Sequence, residues 1–222
     1  MPGQFKGILL DIDGTLVDSN DANARCWVEA LLAHGVEINY IKLREGIGMG
    51  GDNFLPKLAQ IDAESEQGKA ISQTRSEILK SKYMPGLRAF PQVKELLTRL
   101  HDDGLKLVVA TSAKSDEAEA LLKLTEAHEL IDAIATTEDA QNSKPDPDIL
   151  HAALQKSGLS ADEVVMLGDT PYDIEAAQKA GIHSIGVRSG GWSAPDLKGA
   201  LAVYTDPGDL LAHYAESPLG QR

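Results

Sequence analysis

The sequence predicts an α/β protein: a doubly wound, mainly parallel sheet with an inserted helical cap domain. Three observations predict it. The chain opens on an apolar run, Ile8-Leu9-Leu10, that leads directly into Asp11-Ile12-Asp13-Gly14-Thr15. Residues 18–84 then read as helical throughout, with no convincing strand. From Pro91 onward short apolar runs alternate with helical patterns, which is the arrangement of successive βαβ units.

Taken in order, Gly7 to Ile12 reads as the first strand, apolar enough to be covered on both faces. Ala24, Trp27, Val28, Leu31 and Leu32 recur at helical spacing and define one buried face. Cys26 lies in this stripe and reads as a small buried hydrophobe; Trp27 reads as cap core. A second helix is expected from Asp52 to Gln60, and a longer one from about Ala63 to Lys82 with Ile71, Ile78 and Leu79 apolar. Met84-Pro85-Gly86 breaks the pattern. The expected domains are therefore a core of residues 1–17 and 85–222, and a cap of residues 18–84 emerging where the site should lie.

Pro91 suits a first helical position, Val93, Leu96, Leu97 and Leu100 give that helix its stripe, and Gly104 ends it. A strand follows at Leu105–Ala110, a helix at Asp116–Thr125 and a short strand at Ala133–Thr136. Pro147–Ser157 is expected to be a helix, Val164–Leu167 a strand, Tyr172–Ala180 a helix ended by Gly181, and Ser184–Val187 a strand. Ala202–Tyr204 gives a last strand before a helix near Asp209–Tyr214.

Composition narrows the function. A net charge of -13 over 222 residues argues against nucleic acid or an anionic membrane surface as partner, since both are met with Lys and Arg. Any anionic substrate must find local cations: a metal, a few basic side chains or helix N-termini. The single cysteine forbids an intrachain disulfide and fits a reducing compartment, so a cytoplasmic location is expected. No secretory apolar region follows the start, and no apolar run approaches the roughly 20 residues of a membrane span. The six histidines show no metal-ligand spacing, and His151 is expected at a helix surface.

The chemistry gathers at strand ends. Asp11 and Asp13, spaced i, i+2 on a strand, point the same way at its carboxyl end, where open α/β sheets hold ligands. Two carboxylates about 4 Å apart repel by roughly 4 kcal/mol at an effective dielectric of 20, so the pair wants a cation or a shared proton. An Asx-rich turn is the plainer alternative. Thr111 and Ser112 follow the second strand; they could donate to an anion or simply cap the next helix. Lys144 precedes Pro145-Asp146-Pro147, a stiffened loop that fixes its direction; it suits a phosphate or is a solvated lysine. Gly168-Asp169 ends another strand, and Asp173 sits in the following first helical turn, where the helix dipole alone would favour an acid. Carboxylates of this kind are what Mg²⁺ prefers. Gly46-Ile47-Gly48-Met49-Gly50-Gly51 reads as a substrate-contacting loop or a flexible turn. It is no Walker A loop, because Asp52 and Asn53 stand where Lys and Ser/Thr belong. Arg44 and Lys114 are candidate substrate contacts or ordinary surface bases.

A double-Asp strand end, a Thr-Ser strand end, a lysine and a Gly-Asp followed by Asp, in that order, resemble the haloacid dehalogenase superfamily. The helical insertion resembles the subfamily I cap of its phosphoglycolate phosphatase-like and β-phosphoglucomutase-like branch. The resemblance implies a Mg²⁺-dependent phosphatase acting on a small phosphorylated metabolite through an aspartyl-phosphate. In that pattern Asp11 is the nucleophile and Asp13 the acid and base. Thr111, Ser112 and Lys144 hold the phosphoryl group. Asp11, the backbone carbonyl of Asp13, Asp169 and Asp173 serve the metal, with Arg44, Gly48 and Lys114 as cap or substrate contacts. The alternative is a β-phosphoglucomutase-type phosphomutase built on the same core, disfavoured because the Gly46–Gly51 loop lacks a base to grip a second phosphate. A dehalogenase would leave Asp13 and Asp169 without roles. A monomer or weak homodimer is expected.

Overall fold

The computed structural model describes residues 5–220; the extreme ends of the expected core, 1–4 and 221–222, lie outside the described residues. Six strands form one sheet: β1 (Gly7–Leu10), β2 (Lys106–Ala110), β3 (Ala133–Ala135), β4 (Val164–Gly168), β5 (His183–Val187) and β6 (Ala202–Tyr204). The order is β3-β2-β1-β4-β5-β6 and every neighbouring pair is parallel. Chain order runs outward from β1 in both directions. The crevice between β1 and β4 is therefore the topological switch point, where such sheets bind ligands.

Alternation along the strands feeds two cores. Ile8 and Leu10 face one way, toward α5 (Val93–Asp102), α6 (Ser115–Lys123) and α9 (Pro207–Ala212). Leu9, Val108 and Met166 face the other, toward α7 (Asp148–Ser157) and α8 (Pro171–Lys179). Helices on both faces make the sheet doubly wound, as the sequence predicts.

Between β1 and α5 the chain forms α1 (Asn20–Ala33), α2 (Tyr40–Arg44), α3 (Gly51–Phe54) and α4 (Glu66–Ile78). They enclose a third apolar cluster around Trp27, Leu31, Leu43, Phe54 and Ile71. Trp27 is thus in the helical cluster as expected, whereas the buried Cys26 packs into the sheet-side core. The two connections to the sheet run side by side: Phe90 N donates to Leu16 O and Asp18 N to Arg88 O, both at 3.0 Å.

Several local expectations change. The first strand stops at Leu10, because Ile12 O turns to accept from the amides of Thr15, Leu16 and Val17. The helix expected over Asp52–Gln60 is one short turn followed by a π turn, Leu55–Ala59, ended by left-handed Gln60. The helix expected from Ala63 starts at Glu66, where the Ser65 hydroxyl caps Gly68 N, and widens into a π turn over Leu79–Tyr83. Pro91 does not open α5: left-handed Gln92 (φ 62°) intervenes and the helix begins at Val93. Helix α2 has too short an apolar pattern to read; Asn39, whose side chain accepts from Ile41 N and Lys42 N, starts it. His151 is exposed as expected.

Candidate active site

At the carboxyl ends of β1, β2 and β3 a cavity of about 600 Å³ opens between the sheet and the helical insertion. Asp11, Asp13, Thr111, Ser112, Lys114 and Gly48 all line it. The sheet places the first of these. Asp11 N extends the ladder to Leu167 O (3.0 Å), and Thr111 N does the same to Ala135 O (3.0 Å). Both side chains are thereby fixed one residue beyond their strands.

Lys144 joins Asp11 from a distant loop. Its ammonium donates to Asp11 Oδ1 (2.6 Å) and Asp173 Oδ1 (2.7 Å), and it is fully buried. Burial opposes its charge, but the two carboxylates outweigh burial and hold its pKa above the ordinary lysine value. Asp173 also receives the Thr170 hydroxyl (2.7 Å) and amide (3.0 Å) on Oδ2. The helix-capping role and the site role therefore hold together, one on each carboxylate oxygen. Thr15 donates to Asp11 Oδ2 (3.3 Å) and Asp169 Oδ1 (3.1 Å).

Asp11 has more acidic neighbours than the sequence pair alone supplies. Asp169 and Asp173 crowd it, one oxygen of each of the three lying within 4.8 Å of the others. The Asp13 carboxylate is outside that cluster but lines the same cavity as Asp11 and adds its charge. Ser19 Oγ and Asn23 Nδ2 both donate to Asp13 Oδ1, the latter at 2.8 Å. Burial, reinforced by Asp173 and Asp13 against the pull of Lys144, raises the Asp11 carboxyl to about 7. Burial and the two neighbouring acids raise Asp169 well above the carboxylate range. Three crowded, dehydrated acids facing one lysine form a donor set that fits a hard divalent cation. Burial likewise raises Asp13, against the hydrogen bond of Ser19.

Thr111 Oγ1 accepts from Ala113 N (3.1 Å), which leaves its hydrogen for an anion in the cavity. The Ser112 hydroxyl is buried and has no protein partner. Gly48 (φ 110°) presses against Thr170 and Tyr172, where a side chain would collide. The glycine loop is therefore a close-packed wall and not a slack turn. Arg44 does not line the cavity. It donates to Asp21 Oδ1 (2.7 Å) and to Gly190 O (2.7 Å), bridging the insertion to the loop after β5.

Sequence reasoning missed Thr15, Ser19, Asn20, Asn23, Arg75 and Glu117. Arg75 on α4 donates to Glu117 Oε2 and Asn23 Oδ1, and Ser76 donates to Glu117 Oε1 (2.6 Å). Glu117, on α6, is only 1% exposed. The i, i+4 spacing of Ser19 and Asn23 is a readable signal of a shared face; the Arg75–Glu117 pair joins elements 42 residues apart and has no local signature.

Residues 8–187 match the model of the haloacid dehalogenase-like hydrolase family. The chain belongs to that family. Among its relatives, phosphoglycolate phosphatase of Yersinia pestis is 31% identical over 96% of this chain and 91% of its own. Validoxylamine A 7'-phosphate phosphatase of Streptomyces hygroscopicus subsp. limoneus is 30% identical over 82% and 85%. A hydrolase from Pseudomonas syringae superposes with a TM-score of 0.87 at 35% identity, covering 95% of this chain and 98% of that one. This family member is accordingly a hydrolase, built on a parallel sheet flanked by helices. Among the described residues no helix is long and apolar enough to cross a membrane.

Proposed function

We propose that the protein is a Mg²⁺-dependent phosphatase, a phosphoric monoester hydrolase that acts on a small phosphorylated metabolite through an aspartyl-phosphate on Asp11. The carrying observation is the division of labour among its acids. Asp11 shares a buried cluster with Lys144, Asp169 and Asp173, while Asp13 is held separately by Ser19 and Asn23 at the same cavity. The family match and two relatives named for phosphorylated small molecules support the substrate class.

An Asp11 oxygen attacks phosphorus while the bond from phosphorus to the leaving oxygen breaks. Asp13, whose pKa desolvation raises, gives a proton to that oxygen; an alkoxide leaves poorly otherwise. Asp13 then takes a proton from water, the water oxygen bonds to phosphorus, and the Asp11–phosphorus bond breaks to release phosphate. Splitting the reaction in two lowers each barrier. The Lys144 ammonium and the Thr111 hydroxyl meet phosphoryl oxygens and offset charge that would otherwise repel Asp11. Asp11, Asp169 and Asp173, with the backbone carbonyl of Asp13, would hold Mg²⁺, which when bound supplies the remaining charge neutralisation. Residues 18–84 act as a cap that governs access and excludes water.

Hydrolysis is favoured over phosphoryl transfer between two ends of a sugar. A mutase must grip a second phosphate from the inserted helices, whose cavity-lining bases are Arg75, neutralised by buried Glu117, and Lys69, paired with Glu64 at the exposed surface. Phosphate release from a panel of phosphorylated metabolites tests the reading. Release is expected with Mg²⁺, and loss of release with EDTA or in Asp11→Asn. Undiminished turnover by Asp11→Asn, folded by circular dichroism, rejects it.

A further inference from the structure

Asn20 has a polar atom that the chain itself leaves unsatisfied. It is the first residue of α1 and only 3% exposed. Its Nδ2 donates to Asp169 Oδ2 (2.9 Å) and faces Gly190 O (3.5 Å). Its Oδ1 is buried and has no hydrogen-bond partner. Turning the amide over would set Oδ1 against two acceptors, so the network itself fixes the orientation. Buried acceptors are nearly always paired, and an orphan of this kind signals a water or ion.

The surroundings are built tightly around this amide. A Cβ at Gly14 or at Gly190 would collide with both Asn20 Nδ2 and Asp169 Oδ2. The Gly190 carbonyl is also held by Arg44 (2.7 Å), and Ser189 Oγ donates to Gly14 O (2.6 Å). Asp169 thus has Oδ1 fixed by Thr15 and Oδ2 fixed by Asn20. Mg²⁺ keeps several of its waters, and such waters need acceptors beyond the direct ligands.

We propose that Asn20 is a positioning residue of the cation site, its Nδ2 orienting the Asp169 carboxylate and its Oδ1 accepting a hydrogen bond from a water carried by the cation. This rests on the Mg²⁺ reading above. It assigns to the start of the inserted domain a part in holding the metal that the sequence motifs do not contain.

The test is calorimetric titration of Mg²⁺ into EDTA-stripped wild type, Asp169→Asn, Asn20→Leu and Asn20→Asp, with the metal-free melting temperature of each. Leu keeps the branched four-atom skeleton and removes both polar atoms; Asp keeps an oxygen and removes the donor. Wild type should bind Mg²⁺ and Asp169→Asn should not. Asn20→Leu should weaken binding about 10- to 100-fold, as loss of a supporting hydrogen bond does elsewhere, while Asn20→Asp retains affinity closer to wild type. Wild-type affinity in Asn20→Leu would overturn the proposal, as would equal weakening in both variants, because a donor-only role does not need Oδ1. Should Asn20→Leu fail to fold, Asn20→Ala, which also removes both polar atoms, decides: wild-type Mg²⁺ affinity in it overturns the proposal. Failure of wild type to take up Mg²⁺ would instead defeat the cation reading itself. A merely structural Asn20 would lower the metal-free melting temperature and leave the Mg²⁺ affinity untouched.

Discussion

Asp13 shows how much one side chain depends on those behind it. Its Oδ1 accepts from Ser19 and Asn23, Asn23 Oδ1 accepts from Arg75, and Arg75 is anchored by Glu117. Its carboxyl thereby lines the cavity, with its pKa raised by desolvation, as the proposed acid role needs. Replacing it should cost what proton transfer is worth, so Asp13→Asn is expected to lower turnover by about 10²–10⁴-fold. With an activated leaving group that needs no proton, phosphorylation should outlast dephosphorylation and the phosphoenzyme should accumulate. Wild-type rates on an alkyl phosphate would remove Asp13 from the acid role. Cys26 offers a contrasting residue. Burial pushes its thiol up to about 12, so at pH 8 it is protonated as well as inaccessible. Alkylation at pH 8 should label none of it in the native protein and all of it in denaturant. Labelling of the native protein at the rate of a free thiol would contradict this.

At the scale of elements, the link between α4 and α6 bears most directly on function. Glu117 is buried on the sheet side, Arg75 belongs to the inserted helices, and their ion pair joins the two along the lining of the cavity. Arg75 also lies over the Trp27 ring at 5.7 Å. A buried pair is not itself a large source of stability, but removing one partner strands the other. Glu117→Leu is therefore expected to destabilise by about 3–5 kcal/mol. The double variant Arg75→Met/Glu117→Leu should recover most of that loss while leaving Asn23 and Asp13 less well held. Denaturant titration of the singles and the double gives the coupling directly; additive losses would show that the pair acts separately. This element pair also marks where sequence reading stops. Strand ends, apolar stripes and glycine stops are local, so the sheet helices appear within a residue or two of their places. The support behind Asn23, from Arg75 and Glu117, is set by how α4 meets α6, and no short window of sequence contains both. Helix α5 fails at its start for a related reason: Pro91 suits a first turn, but left-handed Gln92 ends the preceding hairpin-like connection and delays the helix.

For the whole molecule, the sheet order and the cluster of acids belong to one argument. Parallel strands in the order β3-β2-β1-β4-β5-β6 bring Asp11, Thr111 and Asp169 to one edge from positions 58 to 158 residues apart. The motifs could be read in sequence because each follows its strand, and the alternation of strands and helices implies a parallel sheet that aligns their ends. Their energetic cost could not, since it depends on burial. In the metal-free protein burial lifts Asp11 to about 7, above its unfolded value of 3.8. A carboxyl raised in this way holds its proton in the folded state over a range where the unfolded chain has released it. Stability from this group is therefore greatest at low pH and falls as pH rises from about 4 to about 7. Other groups titrate over the same range, so the comparison must be internal: Asp11→Asn cannot ionise and escapes the penalty. Without metal, its melting temperature should rise relative to wild type as pH increases from 4 to 7. On the proposed cation site, saturating Mg²⁺ should reverse the comparison, because binding to the folded state alone adds about 2.7 kcal/mol at one hundred times the dissociation constant, and Asp11→Asn would lack a proposed ligand. Thermal denaturation of both proteins at pH 4 and pH 7, with EDTA and with Mg²⁺, measures every part of this. A difference in melting temperature that does not change with pH under EDTA would show that Asp11 carries no electrostatic strain, and the cation would then have none to relieve.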